Sequence, residues 1–295
     1  MTAAALRQTA PASRTVVQRT RGDRHGPIVR LMSPSDLGEQ LKPFVFLDLF
    51  ETDLRGMHMP LHPHSGIATI TVLTDGEARF DDPEAGRGVL GYGGVEWMRA
   101  SGGVWHGKEL SAGRSPAIRG FQLWIALPPE LEGVAPQSRY VETGGTPTSG
   151  PAHVILGAYD GVTSQVSAPP DITYLLVTLA PGERWTFQPP AGQTVGWLAV
   201  ARGGLDAGEP LSSGDMAVFE PGAGAITIGA DAEAGVTFVI GSAAPHPHAL
   251  HLGYYSVHTS AQALAAGESR IAELKQKLDV AGDRRTGSGS TPVFR

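Results

Sequence analysis

The residues most capable of chemistry in this chain are two histidines separated by a single proline, His62-Pro63-His64. Side chains alternate between the two faces of a β-strand, so both histidines would project to one face while Pro63 points away. A third histidine, His106, ends the segment Gly103-Val104-Trp105-His106. If the two segments lie on neighbouring strands, three imidazoles meet, and a transition metal is the simplest reason to gather them. An isolated His-Pro-His sequence is more often a surface repeat or a hydrogen-bonded core pair.

Glycines flank both histidine segments and make a metal site more plausible than a surface repeat or a core pair. Gly56 precedes the first segment, Gly76 follows it, and Gly102 stands just before the second. A glycine-flanked His-x-His strand, a glycine turn and a second strand with one more histidine resemble the two-part pattern of cupin proteins. The resemblance implies a small β-barrel with the histidines inside it, and it favours a metal site over the two structural alternatives.

Residues 62–106 resemble one cupin family in particular, the pirins. The shared motifs are an HPHSG segment where pirins carry HPHRG, an R-G-V-L-G segment, and a G-V-E-W-M-R-A run before the third histidine. The likeness continues in residues 42–48, 121–128 and 136–140. It implies an all-β fold of two cupin barrels that face each other, followed by a C-terminal α-helix. It also implies one divalent transition metal held by His62, His64 and His106, with iron first and nickel, copper, zinc or manganese as alternatives.

The pirin resemblance implies two classes of function. Some members are described as quercetin 2,3-dioxygenases, which open a flavonol ring with O₂ at the metal of the first barrel. Others are described as iron-binding regulators that contact a transcription factor or a metabolic enzyme. We expect the first activity, with a flavonol and O₂ as partners, and keep a non-catalytic regulator with a protein partner as the alternative. The sequence assigns no catalytic residue beyond the metal ligands.

The chain departs from the pirin pattern at the fourth metal ligand. Pirins carry a glutamate two residues after the third histidine, and Lys108 occupies that position here. The neighbouring Glu109 would face the other side of the strand unless a bulge turns it inward. His58, upstream of the first motif, is another candidate for the fourth ligand. The sequence leaves the choice between Glu109 and His58 open.

Composition sets the class of protein and its partners. The 295 residues include 39 glycines and 23 prolines, and only 18% are charged, which is typical of short strands and tight turns. Cysteine is absent, so a metal must be held by nitrogen and oxygen ligands. The net charge of −6 argues against direct nucleic-acid binding. No apolar run is long enough to span a membrane and no secretory signal is recognised, so we expect a cytoplasmic protein, and a monomer.

Length and turn-rich segments predict two domains of short strands. The predicted order is a flexible basic N-terminal arm (1–24), a metal-binding cupin barrel (25–143), a linker (144–151), a degenerate cupin barrel (152–258), a helix (259–280) with Ser260 as N-cap, and a disordered tail (281–295).

Two further expectations concern polar residues outside the first motif. In the second half, residues 214–219 resemble a second cupin motif, but no His-x-His precedes them and no histidine follows at ligand distance, so this barrel should hold no metal. The cluster His246, His248, His251 and His258 should form a loop without a metal role. Glu96 alternates with Trp97 along a strand, so we expect its carboxylate to be exposed.

Overall fold

The structure is a computed structural model that describes residues 13–55, 61–82, 85–107 and 109–281, with side chains up to residue 278. Within these ranges β-strands dominate and three helices occur. His58, Lys108 and the predicted tail from residue 282 onward lie outside the described residues.

The strands of the first half are β1 (Val16–Thr20), β2 (Asp23–His25), β3 (Ile28–Met32), β4 (Phe44–Thr52), β5 (His62–His64), β6 (Ile67–Asp75), β7 (Ala78–Asp82), β8 (Gly86–Leu90), β9 (Val95–Arg99), β10 (Val104–His106), β11 (Leu110–Ala112), β12 (Ile118–Ala126) and β13 (Gln137–Val141). Those of the second half are β14 (Thr148–Ser149), β15 (Ala152–Leu156), β16 (Ala158–Tyr159), β17 (Val162–Thr163), β18 (Ile172–Leu179), β19 (Arg184–Phe187), β20 (Val195–Asp206), β21 (Pro210–Ser212), β22 (Met216–Phe219), β23 (Ile226–Ala230), β24 (Val236–Ala243), β25 (His251–Gly253) and β26 (Ser256–His258). The helices are α1 (Leu37–Leu41), α2 (Pro129–Glu132) and α3 (Ala261–Ala281).

The main sheet of the first half has the order β13-β9-β6-β12-β4-β3-β2 and two faces of different character. Residues paired across antiparallel strands share a face. One face carries Ile70 and Leu123, which are paired with each other and belong to the largest core cluster. The other face carries Thr71, which is paired with both Glu96 and Gln122. One face of the sheet is therefore apolar, and the opposite face carries polar side chains on neighbouring strands.

The apolar face of this sheet packs against the sheet of the second half, whose order is β1-β22-β20-β24-β18-β15-β14. The shared core contains Tyr174, Trp197 and Val239 from the second half, and the Phe44 ring meets the Trp197 ring edge-on at 5.4 Å. A second core cluster lies within the second half itself. The predicted all-β fold of two facing units with a C-terminal helix is confirmed, with open sheets in place of closed barrels.

Residues 13–24 of the predicted N-terminal arm contain strand β1 and the start of β2. Strand β1 pairs with β22 at the edge of the second sheet. The buried Arg14 donates from Nε to the carbonyl of Glu220 (2.7 Å) and from Nη2 to that of Thr194 (3.0 Å), and Arg19 forms an ion pair with Asp215 at 2.7 Å. These partners lie about two hundred positions away in the sequence, so local composition could not reveal them. Residues 1–12 lie outside the described residues.

The segment predicted as a linker packs against both halves. It contains β14, which pairs with β15, and its Thr146 hydroxyl is buried and donates to the Gly93 carbonyl (2.6 Å). The predicted domain boundaries stay a prediction.

Helix α3 covers the side of the first half that carries β10. The Ser260 hydroxyl accepts from the Ala263 amide (3.1 Å), as expected of an N-cap, and the Trp105 indole donates to the Ile271 carbonyl (2.9 Å). Among the described residues, no helix combines the length and the apolar character that crossing a bilayer requires.

Candidate metal centre

The three predicted histidines come together because two short strands pair. Strands β5 and β10 are antiparallel, with His62 opposite His106 and His64 opposite Val104. The ring centroids lie 4.9 Å apart for His62 and His64, 4.4 Å for His62 and His106, and 5.1 Å for His64 and His106. One ring nitrogen from each histidine lies within 4.8 Å of the others. This spacing suits three ligands of a single ion, and among the described residues no other group of histidines and carboxylates has it.

Hydrogen bonding leaves nitrogen lone pairs free at the centre. The His64 Nδ1 lies 3.2 Å from the Tyr255 carbonyl oxygen, which can only accept, so Nδ1 carries the proton and Nε2 the lone pair. The Nε2 atoms of His64 and His106 are both buried, and neither has a hydrogen-bond partner in the described part of the chain. Buried polar atoms are almost always paired in folded proteins, so two such orphans in one cluster fit a site made for a cation.

Burial favours the neutral form of the His64 and His106 imidazoles. Burial, and next the neighbouring His62, lower the pKa of His64 to about 3, although its hydrogen bond with Tyr255 acts in the opposite direction. Burial and the two other histidines likewise place the pKa of His106 well below its usual range. Neutral imidazole is the form that binds metals, so the site is ready for a cation at neutral pH.

Glu109 lies behind His106 and outside the histidine cluster. Its carboxylate accepts from the Gly107 amide (2.8 Å), and Oε2 lies 3.9 Å from His106 Nδ1. Burial, and then repulsion from Glu96, raise the pKa of Glu109 to about 7. Whether Glu109 or His58 adds a fourth ligand stays a prediction, since His58 is outside the described residues.

The expectation of an exposed Glu96 is wrong. Its side chain lies on the polar interior face of the sheet, where it accepts a hydrogen bond from the Tyr140 hydroxyl (3.2 Å). Burial raises the pKa of Glu96 despite this bond and one with Thr71. Alternation along one strand cannot tell solvent from a polar cavity. The sequence did contain one indication of a polar interior: Thr69, Thr71 and Gln122 lie on the same face of the sheet as Glu96, on neighbouring strands.

Two aromatic rings, those of Trp124 and Tyr255, lie beside the histidines. The Trp124 ring meets His64 edge-on at 4.9 Å and stacks on Phe46 at 4.1 Å. The Tyr255 ring lies 5.8 Å from both His62 and His64. Tyr255 comes from the turn between β25 and β26, a hairpin that the sequence could not connect with this site.

The β25–β26 hairpin is joined to the end of strand β5 by a chain of buried polar groups. Ser65, the residue after His64, donates from its hydroxyl to Ser256 (2.8 Å) and lies 2.9 Å from His258 Nε2. His258 Nδ1 in turn faces Glu132 at 3.3 Å. Gly66 completes the contact, because a Cβ atom there would collide with the Val257 carbonyl.

The four histidines predicted to share one loop lie in two places, two in the hairpin and two before it. His251 and His258 are paired on β25 and β26, whereas His246 and His248 precede the hairpin with their rings 5.3 Å apart. His258 takes part in the polar chain to Ser65, a structural role that the prediction missed.

Comparison with known proteins defines the family. The family model described as Pirin matches residues 27–125. A pirin-like protein of Caulobacter vibrioides is 30% identical over 197 residues, which are 61% of this chain and 67% of that protein. The chain belongs to the pirin family. It spans about half the length of the first curated relatives that it matches.

Solved structures support the same fold. A quercetin 2,3-dioxygenase from Acinetobacter baumannii superposes with a TM-score of 0.77 at 21% identity, covering 90% of this pirin and 98% of that chain. A bacterial pirin from Escherichia coli, solved in complex with nickel(II), gives a TM-score of 0.58 at 19% identity, covering 79% and 98%. The predicted cupin fold is therefore confirmed.

Proposed function

We propose that this pirin binds one divalent transition metal through His62, His64 and His106 and uses it to oxidise a flavonol with O₂. The observation that carries the proposal is the pair of buried, unpartnered Nε2 atoms within a cluster of three imidazoles. The dioxygenase from Acinetobacter baumannii and the nickel-bound pirin from Escherichia coli, which share the fold, support the reaction and the kind of metal. Iron is the first candidate and nickel the second.

In this reaction the residues of the protein would bind and orient the metal and the flavonol. When bound, the metal supplies a Lewis acid for an oxygen of the substrate and a route for electrons to O₂. The Tyr255 carbonyl accepts from His64 Nδ1 and holds that ring with Nε2 free for the metal, and the Glu109 carboxyl group lies 3.9 Å from His106 Nδ1. The buried Trp124 ring shields one side of His64 from water, and the partly exposed Tyr255 ring offers a planar surface to a flavonol.

Metal content tests the ligand assignment independently of activity. Elemental analysis of the purified protein should find about one metal per chain, and the double variant His62→Ala, His64→Ala should lose most of it. His25→Ala is the matched control because His25 is exposed on β2 and takes no part in the cluster. Equal metal content in the double variant and the parent would remove the assignment.

Oxygen uptake tests the reaction. The metal-loaded protein should consume O₂ in step with loss of flavonol absorbance, and the absorbance should persist under anaerobic conditions. Absence of metal-dependent uptake over a flavonol and catechol panel would overturn the oxygenase proposal while leaving the metal assignment to the elemental analysis.

A further inference from the structure

The turn of the β25–β26 hairpin contains a residue in an unfavourable backbone conformation. Tyr255 has φ +54° and is the second of the two central residues of the turn. At this position the left-handed conformation favours glycine or asparagine. The other non-glycine residues with positive φ in the described chain are one serine and two aspartates, small polar types. A bulky aromatic residue in this conformation is a marked exception, and such strain tends to be kept where a side chain serves a function.

The hairpin holds this turn firmly against the histidine strand. The Val257 amide donates to the Ser65 carbonyl (3.2 Å), and Ser65 and Ser256 also join through their hydroxyls. The backbone carbonyl of Tyr255 itself accepts from His64 Nδ1. These contacts fix the backbone of residue 255 without using its ring.

Tyr255 is more exposed to solvent than the other aromatic residue against His64. It is 41% exposed, whereas Trp124, whose ring centroid lies 6.1 Å away, is only 8% exposed. Both rings lie against His64, with centroid distances of 4.9 Å for Trp124 and 5.8 Å for Tyr255. Of the two rings, Tyr255 is therefore the one that is accessible to a molecule from solvent.

We propose that Tyr255 is a specificity-determining residue: its ring stacks on the planar ring system of an aromatic ligand held at the histidine-bound metal. The inference rests on the proposed metal centre and adds the class of ligand that it selects. An aromatic pair contributes stabilisation beyond simple area burial, and an aliphatic metal ligand of the same chemistry would not gain it.

Two hydroxamates that share one metal-binding group test this selection. Benzohydroxamate carries a phenyl ring where acetohydroxamate carries a methyl group. Their dissociation constants are measured by calorimetry on the nickel-loaded full chain, in the parent, Tyr255→Phe and Tyr255→Leu. We expect Tyr255→Leu to weaken benzohydroxamate about three- to tenfold, the size of an aromatic pair, with acetohydroxamate within about twofold. Tyr255→Phe should resemble the parent because it keeps the ring.

Nickel affinity is measured in each variant as the control for an intact site, because the Tyr255 contact with His64 uses only the backbone. An unchanged ratio of the two dissociation constants in Tyr255→Leu overturns the role of Tyr255 alone. Absence of nickel-dependent binding of either hydroxamate to the parent overturns the metal centre and the inference with it. A changed ratio in a protein that leaves flavonols unoxidised supports Tyr255 and rejects only the flavonol reaction.

Discussion

Replacement of Gly267 by alanine should destabilise the protein, although helix propensity predicts the reverse. Gly267 lies inside α3, where alanine is favoured over glycine by about 1 kcal/mol. The helix passes so close to β5 and β26 that a Cβ atom at 267 would lie 2.6 Å from both His258 Nε2 and Ser65 Oγ. The two side chains are buried and bonded to each other, so neither can move aside without breaking the polar chain.

The magnitude follows from these distances. Non-bonded carbon contacts are comfortable from roughly 3.5 Å. The helix or the pair must therefore shift by 3.5 minus 2.6, or about 0.9 Å. Overpacking of this kind costs about 2 kcal/mol, and weakening the buried Ser65–His258 contact adds about 1 kcal/mol. After the gain in helix propensity, the free energy of unfolding should fall by about 2 kcal/mol.

Thermal denaturation followed by circular dichroism measures the effect, and the midpoint should fall by about 4 °C or more. Ser269→Ala is the matched control because residue 269 is exposed on the same helix and gains only propensity. Ser65 is adjacent to His64, so Gly267→Ala should also weaken nickel binding while Ser269→Ala leaves it unchanged. A Gly267→Ala protein as stable as the parent would refute the close packing of α3 on this pair.

Three further predictions concern the hairpin, the polar chain and the fourth ligand. Tyr255→Gly should be more stable than Tyr255→Ala by about 1 kcal/mol in urea denaturation, since both lose the ring and only glycine relieves the positive φ; equal stability would argue against strain at this turn. Burial acts to raise the pKa of Glu132, but hydrogen bonds from His258 and Thr259 outweigh it and leave that pKa lowered. Glu132 therefore stabilises the fold above its unfolded pKa and loses this effect as pH falls through the folded value. The difference in melting temperature between the parent and Glu132→Gln should be constant above about pH 5 and shrink as pH falls below about 4; a difference that stays constant through this range would contradict the linkage. Lys108→Glu should tighten nickel binding about tenfold or more in a competitive titration, because a carboxylate would replace an ammonium at the position where pirins carry their fourth ligand; unchanged affinity would show that residue 108 does not act on the site.

Features that depend on local periodicity, such as the shared face of His62 and His64, could be predicted from the sequence. Features that depend on pairing between distant segments could not. Period-two alternation placed His62 and His64 on one face, and the strand that carries His106 could be found from its glycines. Glu96 obeys the same alternation, but whether its face meets solvent or a cavity depends on strands elsewhere in the chain. The contact of Tyr255 with His64 joins residues 191 positions apart and uses a backbone carbonyl, which leaves no trace in residue type.

The two halves exchange pieces of chain. Strand β1, near the start of the described chain, completes the sheet of the second half, and the β25–β26 hairpin, near its end, completes the surroundings of the histidines in the first. During synthesis on the ribosome, residues 62–106 emerge long before the hairpin whose Tyr255 carbonyl accepts from His64. Strand β5 therefore lacks this partner until the end of the chain has been made. The first half, cut from the chain at the linker, would therefore lack the group that fixes its own histidine.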